Sequence, residues 1–210
     1  MAAFVLALYT DRLAPKAALP APLVARNRVI YVREGDATVR AGGQAATLAA
    51  NSAWHGAAGC EVAAGGNGAT LLRWELGPTP VGEPTLARTV ELADPGGYLM
   101  RCDRVDFPPG GIAYTHTHRG PGIRCVLAGE IRVEVNGDAH AVKPGEAWFE
   151  AGPDPVLAFA SDRTPTAFAR VMILPRELKG KSSIRYVRPE DHDQPKTQSY
   201  QVFCDEFITL

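Results

Sequence analysis

The sequence predicts an all-β protein built as a sandwich or barrel. Its 21 glycines and 17 prolines interrupt short apolar segments at nearly regular intervals, which is typical of many short strands joined by turns. The segment 130-EIRVEV-135 alternates between apolar and charged side chains, as a strand with one buried face does. Asn136-Gly137 follows it directly, and this dipeptide is a strong signal for a tight hairpin turn.

The size and charge of the chain limit its function. With 210 residues it can form one large β domain or two small ones, each with a real core. The formal net charge is −1 and no block of like charge is present, which argues against a nucleic acid or an anionic membrane as partner. Apolar runs fall far short of the ~20 residues of a membrane span. We interpret residues 1–19 as a mature N-terminus rather than a signal peptide.

The four cysteines are scattered, without a CxxC pair. They occur at positions 60, 102, 125 and 204. This spacing suggests free thiols in a reducing setting, so a cytoplasmic location is expected.

Segments with strand character occur along most of the chain. They are 29–34, 37–41, 69–76, 98–107, 123–128, 130–135, 147–150, 156–160, 167–174 and, near the end, 199–203. The intervening segment 77–86 is rich in proline and glycine and is typical of a linker or crossover.

A pattern recurs on the two sides of this linker. Residues 30–43 and 125–138 each contain an apolar strand, a glycine followed by an acidic residue, an alternating strand and a glycine turn. Each copy is followed by a tryptophan in similar register, Trp54 and Trp148. We interpret this as two divergent copies of one β module, with chance similarity of short strands as the alternative. The predicted organisation is 1–85, 86–178 and a tail, 179–210, that packs on the barrel or on a partner subunit.

His116 and His118 are separated by a single residue among β-favouring neighbours. Side chains of a strand alternate between its faces, so both imidazoles point to the same side. On a helix they would diverge. In a strand the two histidines can therefore bind the same ligand, and a metal ion is the obvious candidate.

These residues resemble the first motif of the cupin superfamily, in which a glycine precedes His-x-His and a second glycine follows. Gly110, His116, His118 and Gly129 match that motif, and 143-KPGE-146 resembles the start of the second motif. The resemblance covers roughly residues 98–175, and residues 29–76 are similar to a degenerate copy without His-x-His. It implies double-stranded β-helix (jelly-roll) barrels in a bicupin arrangement.

The chain departs from this family pattern at two ligand positions. The family's glutamate ligand falls at position 122, where this chain has glycine. Its third histidine falls near the end of 151–156, where none is present. Since about three protein ligands are usual in a catalytic metal site, other residues complete this one or it is vestigial.

Glu150 is the first candidate for a third ligand, and Asp154 on the following loop is the second. Two histidines and a carboxylate form a ligand set suited to ferrous iron (Fe²⁺); Zn²⁺, Mn²⁺ and Ni²⁺ are alternatives. The competing interpretation is that Glu150 points to solvent or pairs with an arginine, and a salt bridge to Arg124 would explain it without a metal.

Arg124 shares a face with position 122 by strand parity, so it is expected to point into the barrel and to bind an anionic or carbonyl-bearing molecule. We predict Arg124 and Tyr114 as catalytic side chains, the alternative for Tyr114 being a core aromatic. The resemblance favours a metal-dependent enzyme acting on a small carbonyl or carboxylate substrate, with dioxygenase-type oxidoreductase chemistry. A non-oxidative lyase or isomerase and a non-catalytic binding or sensor cupin are the alternatives. The resemblance also implies a homodimer.

Overall fold

The computed structural model describes residues 2–93 and 97–210, and the regular secondary structure in these ranges is β-strand apart from two single-turn 3₁₀ helices, Arg176–Leu178 and Pro189–Asp191. The predicted all-β class is confirmed. The strands are β1 Ala2–Leu13, β2 Asn27–Ala41, β3 Gln44–Ala49, β4 Ser52–Gly56, β5 Cys60–Gly77, β6 Leu86–Leu92, β7 Tyr98–Phe107, β8 Ile112–His118, β9 Gly122–Ala128, β10 Ile131–Val135, β11 Asp138–Val142, β12 Ala147–Glu150, β13 Val156–Ala160, β14 Thr166–Pro175, β15 Ile184–Tyr186 and β16 Ser199–Ile208. No helix in these ranges is long and apolar enough to cross a membrane.

The chain divides into two compact units. The first comprises Met1–Ala93 with Ile208–Leu210, and the second comprises Asp94–Phe207. From the sequence, the division was predicted after residue 85. In the structure β6 pairs with β1 along its length, so it belongs to the first unit.

The first unit is one antiparallel sheet in the order β3-β2-β5-β1-β6, with β4 beside β2. The two long strands β2 and β5 pair along their length, but bulges between Val32 and Glu34 and between Gly35 and Ala37 interrupt the ladder. Gly35 has φ +77°, and a Cβ there would lie 2.0 Å from the carbonyl oxygen of Gly68. Only glycine readily adopts this positive φ and leaves room for the Gly68 carbonyl oxygen, so Gly35 permits the bend in β2.

The second unit consists of two five-stranded antiparallel sheets, β11-β10-β13-β8-β15 and β12-β9-β14-β7-β16. Apolar side chains from both sheets form a common buried cluster, which includes Val126, Ile131, Val133, Val156 and Phe168. Alternate residues of each strand supply this layer, as expected when two sheets pack face to face. The arrangement is a double-sheet jelly roll.

The hairpin between β10 and β11 confirms the turn predicted from Asn136-Gly137. Both residues have positive φ, 53° and 88°, and the strands pair from Ile131 opposite Val142 to Val135 opposite Asp138. This is the backbone pattern of a type I′ turn, whose twist matches that of the strands. Gly129, which precedes β10, also has positive φ, as Gly35 does at the corresponding point of the other copy. The duplication itself stays a prediction.

The C-terminal tail contributes to both sheets of the second unit. β15 pairs with β8, and β16 lies beside β7 at the edge of the other sheet. The tail predicted to pack on the barrel or on a partner therefore continues the barrel's own sheets.

Candidate functional site

The two predicted histidines lie inside the barrel of the second unit. His116 and His118 are 6% and 4% exposed, and their Nε2 atoms are 3.2 Å apart. Their rings are nearly perpendicular, at 88°. The alternation of strand β8 places both on the inner face, as the sequence predicts.

Hydrogen bonds fix the orientation of both rings. The Nδ1 atom of His116 lies 2.7 Å from the carbonyl oxygen of Tyr114, which can only accept, so Nδ1 carries the hydrogen and Nε2 has the lone pair. The Nδ1 atom of His118 is 3.4 Å from the hydroxyl of Ser183 in the tail. Burial lowers the pKa of His116, although the charge of Glu150 opposes this. Burial also lowers the pKa of His118 well below its usual value, with Arg124 acting in the same direction, so both rings are neutral at pH 7.

A buried ion pair lies beside the histidines. Arg124 is fully buried, and its Nη2 atom is 2.5 Å from Oε2 of Glu150, which is itself 3.3 Å from Nε2 of His118. The 2.5 Å contact joins two charges but lacks hydrogen-bond alignment. Trp148 Nε1 donates to the other carboxylate oxygen at 2.8 Å. Burial lowers the pKa of Arg124 to about 10, opposed by Glu150, so the guanidinium is still charged at pH 7.

Arg124 also fills the space beside Gly122. Its Nη1 atom donates to the carbonyl oxygen of Gly122 at 2.7 Å. A Cβ on Gly122 would lie 3.0 Å from that nitrogen and 2.6 Å from the carbonyl oxygen of Val171. Position 122 therefore has no room for a ligand side chain.

A second ion pair borders the first. Arg170 of β14 lies directly opposite Arg124 in the β14–β9 register, and Asp103 of β7 lies opposite Arg170. Arg170 binds Asp103 with two hydrogen bonds of 2.6 and 3.2 Å. Burial disfavours the Arg170 charge, but Asp103 outweighs this and the pKa of Arg170 is raised. Because like charges opposite each other destabilise a sheet, each arginine needs its own carboxylate.

Two cavities adjoin this cluster. The inner one holds only about 20 Å³ and is lined by the histidines, Arg124, Glu150 and their apolar neighbours. The outer one holds about 470 Å³ and lies largely under the tail. Arg170, Ile184 and Tyr200 line both cavities. The outer cavity is large enough for a small organic molecule.

The predicted site residues are placed as follows. His116, His118, Arg124 and Glu150 converge on the inner cavity. Tyr114 contributes its carbonyl oxygen, while its ring lies 5.4 Å from the ammonium of Lys196. Asp154 is half-buried on the loop between β12 and β13 and does not line either of these two cavities.

Three side chains of this site were not predicted from the sequence: Asp103, Ser183 and Tyr200. Asp103 lies opposite Arg170 in the pairing of β7 with β14, and a register between distant strands cannot be predicted from the local pattern. Ser183 and Tyr200 belong to the tail, for which the sequence predicted only packing on the barrel or on a partner subunit.

The resemblance implies a divalent metal, and the donor atoms around the two histidines test that expectation. Within residues 2–93 and 97–210, no group of three or more His, Cys, Asp and Glu side chains has the arrangement of a metal site. The two imidazole nitrogens face each other, but the nearest carboxylate, Glu150, is already the counterion of Arg124. As arranged here, these residues do not fit a three-ligand metal site.

Comparisons with known proteins agree with this fold. Residues 103–152 match the model of the cupin domain. No curated protein matches the chain in sequence.

Several solved structures share the architecture at low sequence identity. Oxalate decarboxylase from Bacillus subtilis, as a deletion mutant, has a TM-score of 0.65 at 13% identity, over 91% of this chain and 73% of that one. Salicylate 1,2-dioxygenase from Pseudaminobacter salicylatoxidans has a TM-score of 0.60 at 11% identity, over 86% and 74%. AerE from Microcystis aeruginosa has a TM-score of 0.61 at 14% identity, over 83% and 88%. Identities this low establish the fold alone. Together with the jelly roll and the match at residues 103–152, they show that the second unit has the fold of a cupin domain.

Proposed function

We propose that the second unit binds a small organic anion, of the carboxylate class, in the outer cavity beneath the tail. The observation that carries the proposal is the charge of the cavity wall. Four cationic side chains line it, Arg101, Arg170, Lys181 and Lys196, against two carboxylates, Asp103 and Asp205. Arg101 pairs with Asp205 and Arg170 with Asp103, so the lysines supply the excess of positive charge.

The same cavity offers uncharged groups for the rest of such a molecule. Gln198 is 8% exposed; its Nε2 atom donates to Tyr200, while its buried Oε1 atom has no partner in the described part of the chain. A ligand hydroxyl or N–H group would satisfy that oxygen. Tyr186 and Ile184 supply an aromatic and an apolar surface.

Thermal unfolding with matched carboxylates and amides tests the proposal. Salicylate and oxalate are suitable probes because the names of two proteins with this fold contain them. Salicylamide and oxamide are their uncharged counterparts. We expect a carboxylate to raise the Tm with increasing concentration while its amide does not, because only the anion compensates the excess charge.

Two lysine variants locate the binding. Lys181→Met should weaken the carboxylate effect, whereas Lys143→Met, an exposed lysine away from the cavity, should leave it unchanged. Equal effects of carboxylate and amide, or no effect of either carboxylate at millimolar concentration, would contradict the proposal.

The second candidate is the metal-dependent, dioxygenase-type oxidoreductase that the sequence favours. The facing Nε2 atoms of His116 and His118, 3.2 Å apart, support it, since two ligands of one ion have similar separations. It requires Glu150 to leave Arg124. Elemental analysis of the purified protein and of the double variant His116→Ala, His118→Ala tests this candidate: a stoichiometric ion lost in the variant would favour it. The homodimer and the cytoplasmic location stay predictions.

A further inference from the structure

The inner cavity contains three potential metal donors and one cation that is part of the protein. The Nε2 atoms of His116 and His118 face each other, and Oε2 of Glu150 is 3.3 Å from the second of them. The guanidinium of Arg124 lies 2.5 Å from the same Oε2. The carboxylate oxygen that would complete a metal site is thus in contact with a fixed positive charge.

The charges of the buried cluster are already balanced. Arg124 and Arg170 contribute two positive charges, and Glu150 and Asp103 contribute two negative charges. A divalent ion would add two charges with no carboxylate to offset them. An ion at the usual ~2.0–2.2 Å from Oε2 would lie within about 5 Å of Arg124 Nη2, so the two cations would repel each other in a buried site.

The guanidinium is also fixed in place. It lies against the backbone of Gly122 through a 2.7 Å hydrogen bond to the carbonyl oxygen. The carbonyl oxygen of Gly122 holds one side of the Arg124 guanidinium, and Glu150 holds the other. The guanidinium therefore cannot turn away from the histidines without leaving both partners.

We infer that Arg124 takes the place of a divalent metal ion in this barrel: it is the permanent counterion of Glu150 and prevents His116, His118 and Glu150 from binding a metal. The consequence is a latent site. Removing the guanidinium charge frees a buried carboxylate next to two neutral imidazoles, which is a ligand set for Fe²⁺, Co²⁺ or Zn²⁺.

The test is a gain of metal binding rather than a loss of activity. Wild type, Arg124→Met, the double variant Arg124→Met/Glu150→Gln and Arg132→Met are each loaded with Co²⁺ or Zn²⁺ and dialysed. Retained metal is measured by elemental analysis, and the Co²⁺ samples by visible absorption. Arg132 is an arginine of an exposed ion pair and serves as the matched control.

We expect Arg124→Met to retain about one ion per chain, while wild type, Arg132→Met and the double variant retain none. Arg124→Gln, which keeps an amide donor toward Glu150 but no charge, serves if Arg124→Met does not fold. A stoichiometric ion in wild type that is lost on replacing His116 and His118 would overturn the inference. So would the absence of metal from a folded Arg124 variant. Neither result depends on the outer cavity, so anion binding is tested separately.

Discussion

Glu150 and Gly122 lie directly opposite each other in the register of β12 and β9. The family pattern has a glutamate at position 122, and this chain has its glutamate on the neighbouring strand instead. The carboxylate still reaches the histidines, but from a direction in which it also meets Arg124. With its glutamate one strand away from the family position, this chain gives the carboxylate a guanidinium as its partner.

Glu150→Gln is expected to lower the free energy of unfolding by about 3–5 kcal/mol, because it leaves the fully buried Arg124 without a counter-charge. The amide oxygen can still accept the hydrogen bond from Trp148, so the loss reports mainly on the charge. Urea denaturation of the two proteins measures the difference. Glu134→Gln is the control, since Glu134 pairs with Arg132 at the surface and should change stability by less than about 1 kcal/mol. Equal effects of the two substitutions would contradict this account.

Gly122→Ala should destabilise the second unit by about 1–3 kcal/mol through overpacking. The added methyl would meet the carbonyl oxygen of Val171 at 2.6 Å, and that oxygen belongs to the paired strand β14 and cannot yield easily. Gly66→Ala is the matched control in a strand, because a Cβ at Gly66 has no atom within 4 Å. Thermal unfolding compares the two, and a Gly122→Ala protein as stable as Gly66→Ala would show that the site has more room than the structure indicates.

Acid should destabilise the protein through the buried histidines. The pKa of each is lowered by burial, so below the usual histidine pKa of about 6.5 the unfolded chain binds protons that the folded chain does not. Stability is therefore full above pH 7 and falls as pH drops below about 6.5, by up to about 1.4 kcal/mol per unit for each histidine. His118→Gln should flatten this dependence, whereas the exposed His140→Gln should not. Urea denaturation at several pH values measures it, and an unchanged slope in His118→Gln would contradict the assignment.

The four free cysteines should react with alkylating agents in a definite order. Cys102 is fully buried, and a hydrogen bond with the thiol of Cys204, together with burial, raises its pKa well above the usual value. Little reactive thiolate is therefore present at Cys102. Cys204 is half-buried and should be labelled first by iodoacetamide at pH 8, as followed by peptide mass spectrometry. Labelling of Cys102 at the same rate as Cys204 would contradict this prediction.

Local sequence patterns predicted most of the second unit but not the role of the N-terminus. Alternation identified β10, and Asn136-Gly137 identified its turn. β1 was interpreted as a chain terminus, yet it lies between β5 and β6. Its residues Leu6–Tyr9 are all buried, so both faces are covered and the strand has no alternation to recognise.

Strand parity also predicted part of the site. It placed His116, His118 and Arg124 on inner faces, and it left open whether Glu150 pairs with an arginine. It could not find Ser183, because the contact with His118 crosses 65 positions of sequence and depends on how the tail pairs with β8. Long-range register of this kind is fixed by packing of the whole barrel rather than by any local preference.

The tail strands have a consequence for any shortened form of this protein. β15 pairs with the outer edge of β8, and β16 pairs with the outer edge of β7, so the tail protects one edge of each sheet. A chain ending at residue 179 would expose the unpaired backbone N–H and C=O groups of β8 and β7 at these two edges. Exposed borders of this kind recruit strands from other molecules, so the shortened chain should self-associate into aggregates as its concentration rises.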